Sequence, residues 1–171
     1  MPQLERREAL PEHPVPAGLA APEAWRLRVD GLVAQPLALA VSEVEALGAQ
    51  MRSEDFVCEE GWTVPDQQWE GVAVTAILGR AGVQPDARFL KVYAGDFTVL
   101  LPLAEALTGG ALLARYLNGT PLTPEHGAPL RLVAPMKLGL KNIKAVTDIV
   151  YTADEPADYW NERGYSRYDG L

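Results

Sequence analysis

The apolar residues of this chain fall into runs of strand length that Gly and Pro cut short, and that punctuation most constrains its fold. The chain holds 15 Gly and 14 Pro. Uncharged stretches such as residues 31–42 and 106–114 are short and broken by one or the other. Neither approaches the roughly 18 apolar residues of a membrane-spanning helix. Trp25, Leu27 and Val29 alternate with Arg26, Arg28 and Asp30, the pattern of a half-buried strand. A second short run covers residues 36–41, and Ser42–Glu45 predicts a capping box for a helix ending near Gly48. Phe56–Cys58 predicts a short strand, and residues 60–71, rich in Gly, Pro, Trp and Gln, a loop. Val74–Ala81 has helical spacing and stops at Gly82. Phe89–Ala94 and Phe97–Leu101 predict a hairpin around Gly95-Asp96, and Pro102 can start a helix through Leu107. Leu112–Leu117, Leu130–Ala134 and Ile143–Thr152 predict further strands, with Asn118-Gly119 a tight turn. Short helices that do not alternate regularly with strands exclude a doubly wound parallel sheet. The expectation is one α+β or mainly-β domain over residues 25–171. Residues 1–24, with five prolines, predict an extended arm that wraps over the body or stays mobile, order beginning at Trp25.

At 171 residues the chain is long enough for a sizeable core. One Cys excludes an intramolecular disulfide, cysteine-cluster metal sites and a CxxCH haem attachment. Two His are too few for a His-based metal site. A net charge of −8 argues against general nucleic-acid binding. The charged start MPQLERREAL has no apolar core of a leader, so the expectation is a protein in the cytoplasm with no membrane partner. Nucleotide-loop, zincin and nucleophile-elbow motifs are absent.

Three features can carry chemistry. Cys58 lies among Glu54, Asp55, Glu59 and Glu60, which oppose the thiolate and make it a poor nucleophile. It is either a buried apolar thiol or the one protein ligand of a metal whose cofactor supplies the rest. Residues 126–147 hold no Asp or Glu but contain Arg131, Lys137, Lys141 and Lys144. With Gly139 loosening the loop, they suit a phosphate or other oxyanion, or form a solvated basic face. Trp62 and Trp69 flank the polar loop after Cys58 and either pin it or wall a pocket.

The pieces WRLRVDGLV, CEEGWTVPDQQWEGV, LNGTPLTPEHGAPLRLVAP, GLKNIKAVTDI and YWNERGY, in that order over residues 25–166, together resemble the molybdopterin-binding domain of the sulfite oxidase superfamily. The closest likeness is to a single-domain bacterial group related to the catalytic subunit of the methionine-sulfoxide-reducing molybdoenzyme. The resemblance implies a sulfite oxidase-type α+β fold of mixed β-sheets with short helices. It implies a molybdenum–pyranopterin cofactor with Cys58 as metal ligand and catalytic residue. Arg131 and His126 would contact the cofactor, and Asn142, Ile143 and Lys144 would hold its phosphate. Ala94 would stand where relatives carry a small polar residue, and His13 where their arm contacts the cofactor.

The resemblance further implies oxygen-atom transfer on a small-molecule substrate, with electrons exchanged through a separate partner. Where relatives show an aromatic and a Tyr, this chain has Ala145 and Leu138. The acids before Cys58 weigh against sulfite as substrate. The alternatives are a member of the same fold that binds an anion or a partner without molybdenum, and a redox-sensing thiol.

Overall fold

The computed structural model describes residues 3–14 and 23–166. In chain order the strands are β1 (Glu5–Arg6), β2 (Leu27–Gly31), β3 (Leu37–Leu39), β4 (Gln50–Val57), β5 (Trp62–Ala73) and β6 (Phe89–Ala94). There follow β7 (Phe97–Pro102), β8 (Leu112–Leu117), β9 (Thr120–Pro121), β10 (Arg131–Val133) and β11 (Asp148–Thr152). Three short helices intervene: α1 (Val41–Glu45), α2 (Val74–Ala81) and α3 (Leu103–Thr108). One mixed sheet runs β1-β5-β8-β10, with β4 against β5 and β9 against β8; the other runs β3-β2-β11-β6-β7. This is the expected α+β architecture of mixed sheets with short helices.

Local chemistry explains most elements. In β2, Leu27 and Val29 are buried while Arg28 and Asp30 face solvent, as the alternation requires. The β6–β7 hairpin turns on Gly95 at φ 61°, a left-handed value that glycine adopts without cost. Helix α2 buries Val74, Ile77 and Ala81 and ends on left-handed Gly82. Helix α1 is capped by Ala40, so Ser42 lies inside it and the capping box expected of Ser42 and Glu45 gives way to Glu43 Oε2 accepting the Ala40 N–H. Pro102 caps α3 from outside it.

Four expectations are corrected. Residues 62–73 are not a loop but the longest described strand, because β4 pairs along one edge while β8 and β1 share the other. Its Pro65 and left-handed Asp66 sit by the register shift between Glu54 and Phe56. Correspondingly, the strand expected at Phe56–Cys58 starts at Gln50 and stops at Val57. The strand expected from Ile143 begins only at Asp148, because residues 143–147 form a loop with Ala145 at φ 53°. Order does not begin at Trp25: the arm's Glu5 and Arg7 N–H groups bond to the carbonyls of Gly61 and Thr63. Residues 15–22 of the arm lie outside the described residues, as does Tyr168.

Two apolar clusters result. The larger includes Leu27, Val29 and Ile149 from the second sheet and Leu113 and Leu132 from the first. The smaller gathers Phe56, Trp62, Val64, Trp69 and Ala114 around the arm's Leu10. Burying one such Leu contributes about 1.5–3 kcal/mol, which fastens the arm.

Candidate functional site

A cavity of about 560 Å³ opens where the arm, the β4–β5 turn, the β6–β7 hairpin, residues 139–145 and Trp160 meet. Cys58 stands at its edge. The turn after β4 is closed by the Gly61 N–H on the Cys58 carbonyl at 3.1 Å, with Gly61 at φ 88°. That geometry leaves Cys58 half-buried, its thiol donating to Glu59 Oε2 at 3.5 Å. Burial pushes the thiol up to about 11, and the Glu59 and Glu60 carboxylates add to this; only the Glu60 N–H, directed at sulfur, favours the thiolate. Without a metal this is a weak nucleophile.

Opposite chemistry holds at Arg131 and Lys144. Arg131 is 4% exposed on β10, and its NH1 donates to the His126 carbonyl at 3.0 Å. Its guanidinium lies 5.1 Å from the Trp69 ring centre and 5.5 Å from that of Phe56. Its Nε is buried with no partner. Burial lowers its pKa to about 10, so the cation persists at neutral pH. Lys144 Nζ donates to the Glu125 carbonyl at 2.6 Å. Burial first, then Arg131, brings it down to about 8. Among the described residues neither cation has an ion-pair partner. Gly127, at φ 113°, lies between them; a Cβ there would stand 3.1 Å from side-chain carbons of both.

The other two bases of the acid-free segment are engaged elsewhere. Lys137 Nζ pairs with Glu105 at 2.7 Å and Lys141 Nζ with Asp158 at 2.5 Å. Gly139 does not loosen the loop: it opens a 3-10 turn, and a Cβ would meet the Phe56 ring at 2.6 Å.

Of the residues named from sequence, Cys58, Ala94, His13, Arg131, Asn142, Ile143 and Lys144 line this one cavity. Asn142 does so with its side chain already committed, Oδ1 accepting the Ala134 N–H at 2.5 Å. The N–H groups of Ile143 and Lys144 reach no backbone acceptor among the described residues. Beside Lys144 and Arg131, His13 has a lowered pKa, from burial first and then their charges. His126 is the exception. Its ring lies in a neighbouring depression, near the Leu10 carbonyl and Thr123 Oγ1, and only its carbonyl serves Arg131. Trp62 lines the cavity, whereas Trp69 is fully buried beneath Arg131. Sequence reasoning missed Arg7, whose guanidinium lies 4.5 Å over Trp62, and Trp160; no local signal marked the first, and the second lay within YWNERGY.

Among the described residues, no three His, Cys, Asp or Glu side chains converge to hold a metal, and no helix is long and apolar enough to cross a membrane. The chain is 37% identical over 142 residues to an uncharacterized oxidoreductase, YuiH, of Bacillus subtilis, covering 82% of this chain and 72% of that one. It is 32% identical over 147 residues to a putative protein-methionine-sulfoxide reductase subunit, YedZ1, of Azospira oryzae, covering 85% and 56%. It is 28% identical over 164 residues to the protein-methionine-sulfoxide reductase catalytic subunit MsrP of Campylobacter jejuni, covering 84% and 54%. The chain thus spans about half the length of the latter two. The fold matches the sulfane dehydrogenase SoxCD of Paracoccus pantotrophus with a TM-score of 0.72 at 22% identity, over 79% of this chain and 40% of that one. The oxidoreductase molybdopterin binding domain model matches residues 12–160, and the chain belongs to that family.

Proposed function

We propose that this protein is a molybdenum-dependent oxidoreductase that moves an oxygen atom to or from a small substrate, with Cys58 as the chain's ligand to the metal. Molybdopterin with molybdenum is the cofactor its family implies. The residues present fit such a group. A single soft thiol faces the cavity, and a buried Arg131 with an orphaned Nε lines it together with Lys144, neither cation holding a salt bridge among the described residues. That juxtaposition carries the proposal: a thiol for a soft metal and two cations for an anionic tail, in one cavity.

When bound, the cofactor supplies two-electron oxygen-atom transfer at molybdenum. The chain's part is to hold and orient it. Cys58 would hold the metal as its thiolate, and the metal's charge would offset the acids around it. Arg131 and Lys144 anchor the tail, with the Ile143 and Lys144 N–H groups as further donors. His126 acts through its carbonyl, holding the Arg131 fork. His13 and Ala94 border the group, and Phe56 and Trp62 keep water from the sulfur. The described part of the arm, residues 3–14, serves as cover to the cavity. Electrons pass through a separate partner.

Metal analysis tests this. Protein made in a host that synthesises the cofactor should hold close to one molybdenum per chain, lost in Cys58→Ala. Folded but molybdenum-free protein from such a host would overturn the reading. A non-catalytic member that binds an anion or a partner is favoured only by Ala94, Leu138 and Ala145, and the same assay separates the two.

A further inference from the structure

We infer that Lys141 and Asp158 are a positioning pair that fixes the cavity's cation-bearing loop and its aromatic wall without touching what the cavity holds. The ion pair is fully buried, with the side chains 1% and 0% exposed. One Asp158 oxygen takes both Lys141 Nζ and the N–H of Leu100 on β7. The other takes the N–H groups of Trp160 and Asn161 at 3.0 and 2.9 Å. A single carboxylate therefore joins the 139–141 turn, a strand of the second sheet and the C-terminal segment.

A second clasp falls on the neighbouring residue. Trp160 Nε1 donates to the Leu140 carbonyl at 2.9 Å. Leu140 and Trp160 line the cavity, and Lys144 follows three residues after Lys141. Lys141 itself is not part of the lining. Burial works against the Asp158 carboxylate, but the bonds from Lys141, Asn161 and Leu100 outweigh it and hold the carboxyl below its ordinary value. Removing either charge strands the other in the core, so loss of one partner loosens the contacts that the carboxylate gathers. Only the identity of the anion held by Lys144 rests on the proposed function; the clasp stands on the contacts alone.

The test uses the full-length chain, made without cofactor, unchanged and as Lys141→Met, Lys141→Met/Asp158→Asn and Trp160→Phe. Hydrogen exchange reads the segments, and calorimetric titration with inorganic phosphate reads the cations. Lys141→Met is expected to speed exchange about 10-fold in residues 139–145 and 158–161, with β6 and β11 unchanged. It should weaken phosphate binding about 5-fold, although residue 141 faces away from the cavity. The double variant removes both buried charges and should recover thermal stability while phosphate binding stays weak. Recovery of both together would mark a purely structural pair and overturn the inference.

If the unchanged chain binds no phosphate, the anion site fails and the exchange result alone decides the clasp. A folded Lys141→Met with unaltered exchange in both segments overturns it. Should that variant not fold, Trp160→Phe removes the indole N–H, with part of the ring, while leaving the buried ion pair in place. It is then expected to raise loop exchange about 3-fold, and no rise would be fatal to the idea.

Discussion

Arg131 and Lys144 differ from Lys137 and Lys141 in one respect: what stands opposite the charge. All four lie in one acid-free segment and are indistinguishable by local composition. Lys137 and Lys141 reach carboxylates brought from α3 and the C-terminal segment. Arg131 and Lys144 are half-buried or more and form no salt bridge among the described residues: Arg131 meets a carbonyl and two aromatic faces, and Lys144 a carbonyl, with Glu12 and Glu125 acting on it from beyond salt-bridge distance. The lesson is that a basic segment is not a site. The cations that tertiary structure leaves without a salt bridge are the ones available to an anion.

The sharpest way to break this contrast is stability. Asp158→Ala strands Lys141 and should cost about 3–5 kcal/mol, read from urea unfolding. Arg131→Met removes a buried cation with no carboxylate to strand. The cofactor-free chain should stay within about 1 kcal/mol of its original stability, while molybdenum content falls about 10-fold. If Arg131→Met destabilises as much as Asp158→Ala, the division is wrong.

Lys137→Met should cost much less than Asp158→Ala. Its partner Glu105 is 44% exposed and rehydrates, so the loss should be about 1 kcal/mol by the same unfolding measurement. The smallest effect is on pH dependence. Lys144 is held down to about 8, and an anion prefers it protonated. Sulfate affinity should therefore be full at neutral pH and fall about 3-fold between pH 7 and 9. Lys144→Met should flatten that slope, and an unchanged slope in the variant would assign it elsewhere.

Much of this was legible in the sequence where the signal is local. Alternation gave β2, the Gly95 turn gave the β6–β7 hairpin, and Gly82 gave the end of α2. The long β5 was not, because a Pro- and Gln-bearing segment reads as a loop until strands on both edges supply its hydrogen bonds. Residues 143–147 failed in the opposite sense: Ile143 and Val146 look like strand, but left-handed Ala145 bends the chain while Leu130 and Leu132 still bond to it. In the candidate site, Cys58 and Arg131 were singled out by residue type and motif. Arg7 was invisible, since its place over Trp62 depends on an arm that docks from more than 50 positions away in sequence. His126 was named for its ring, whereas its carbonyl faces Arg131.

Gly127 has a consequence beyond room for its neighbours. With no side chain there, the stems of Arg131 and Lys144 pass close together, and the Arg131 charge helps bring Lys144 down against the partial offset of Glu12 and Glu125; an incoming anion relieves the repulsion that is left. Cofactor capture and folding stability are then one linked equilibrium: a chain that fails to load also melts earlier. The glycine makes this protein report, through its own thermal stability, whether it has been filled.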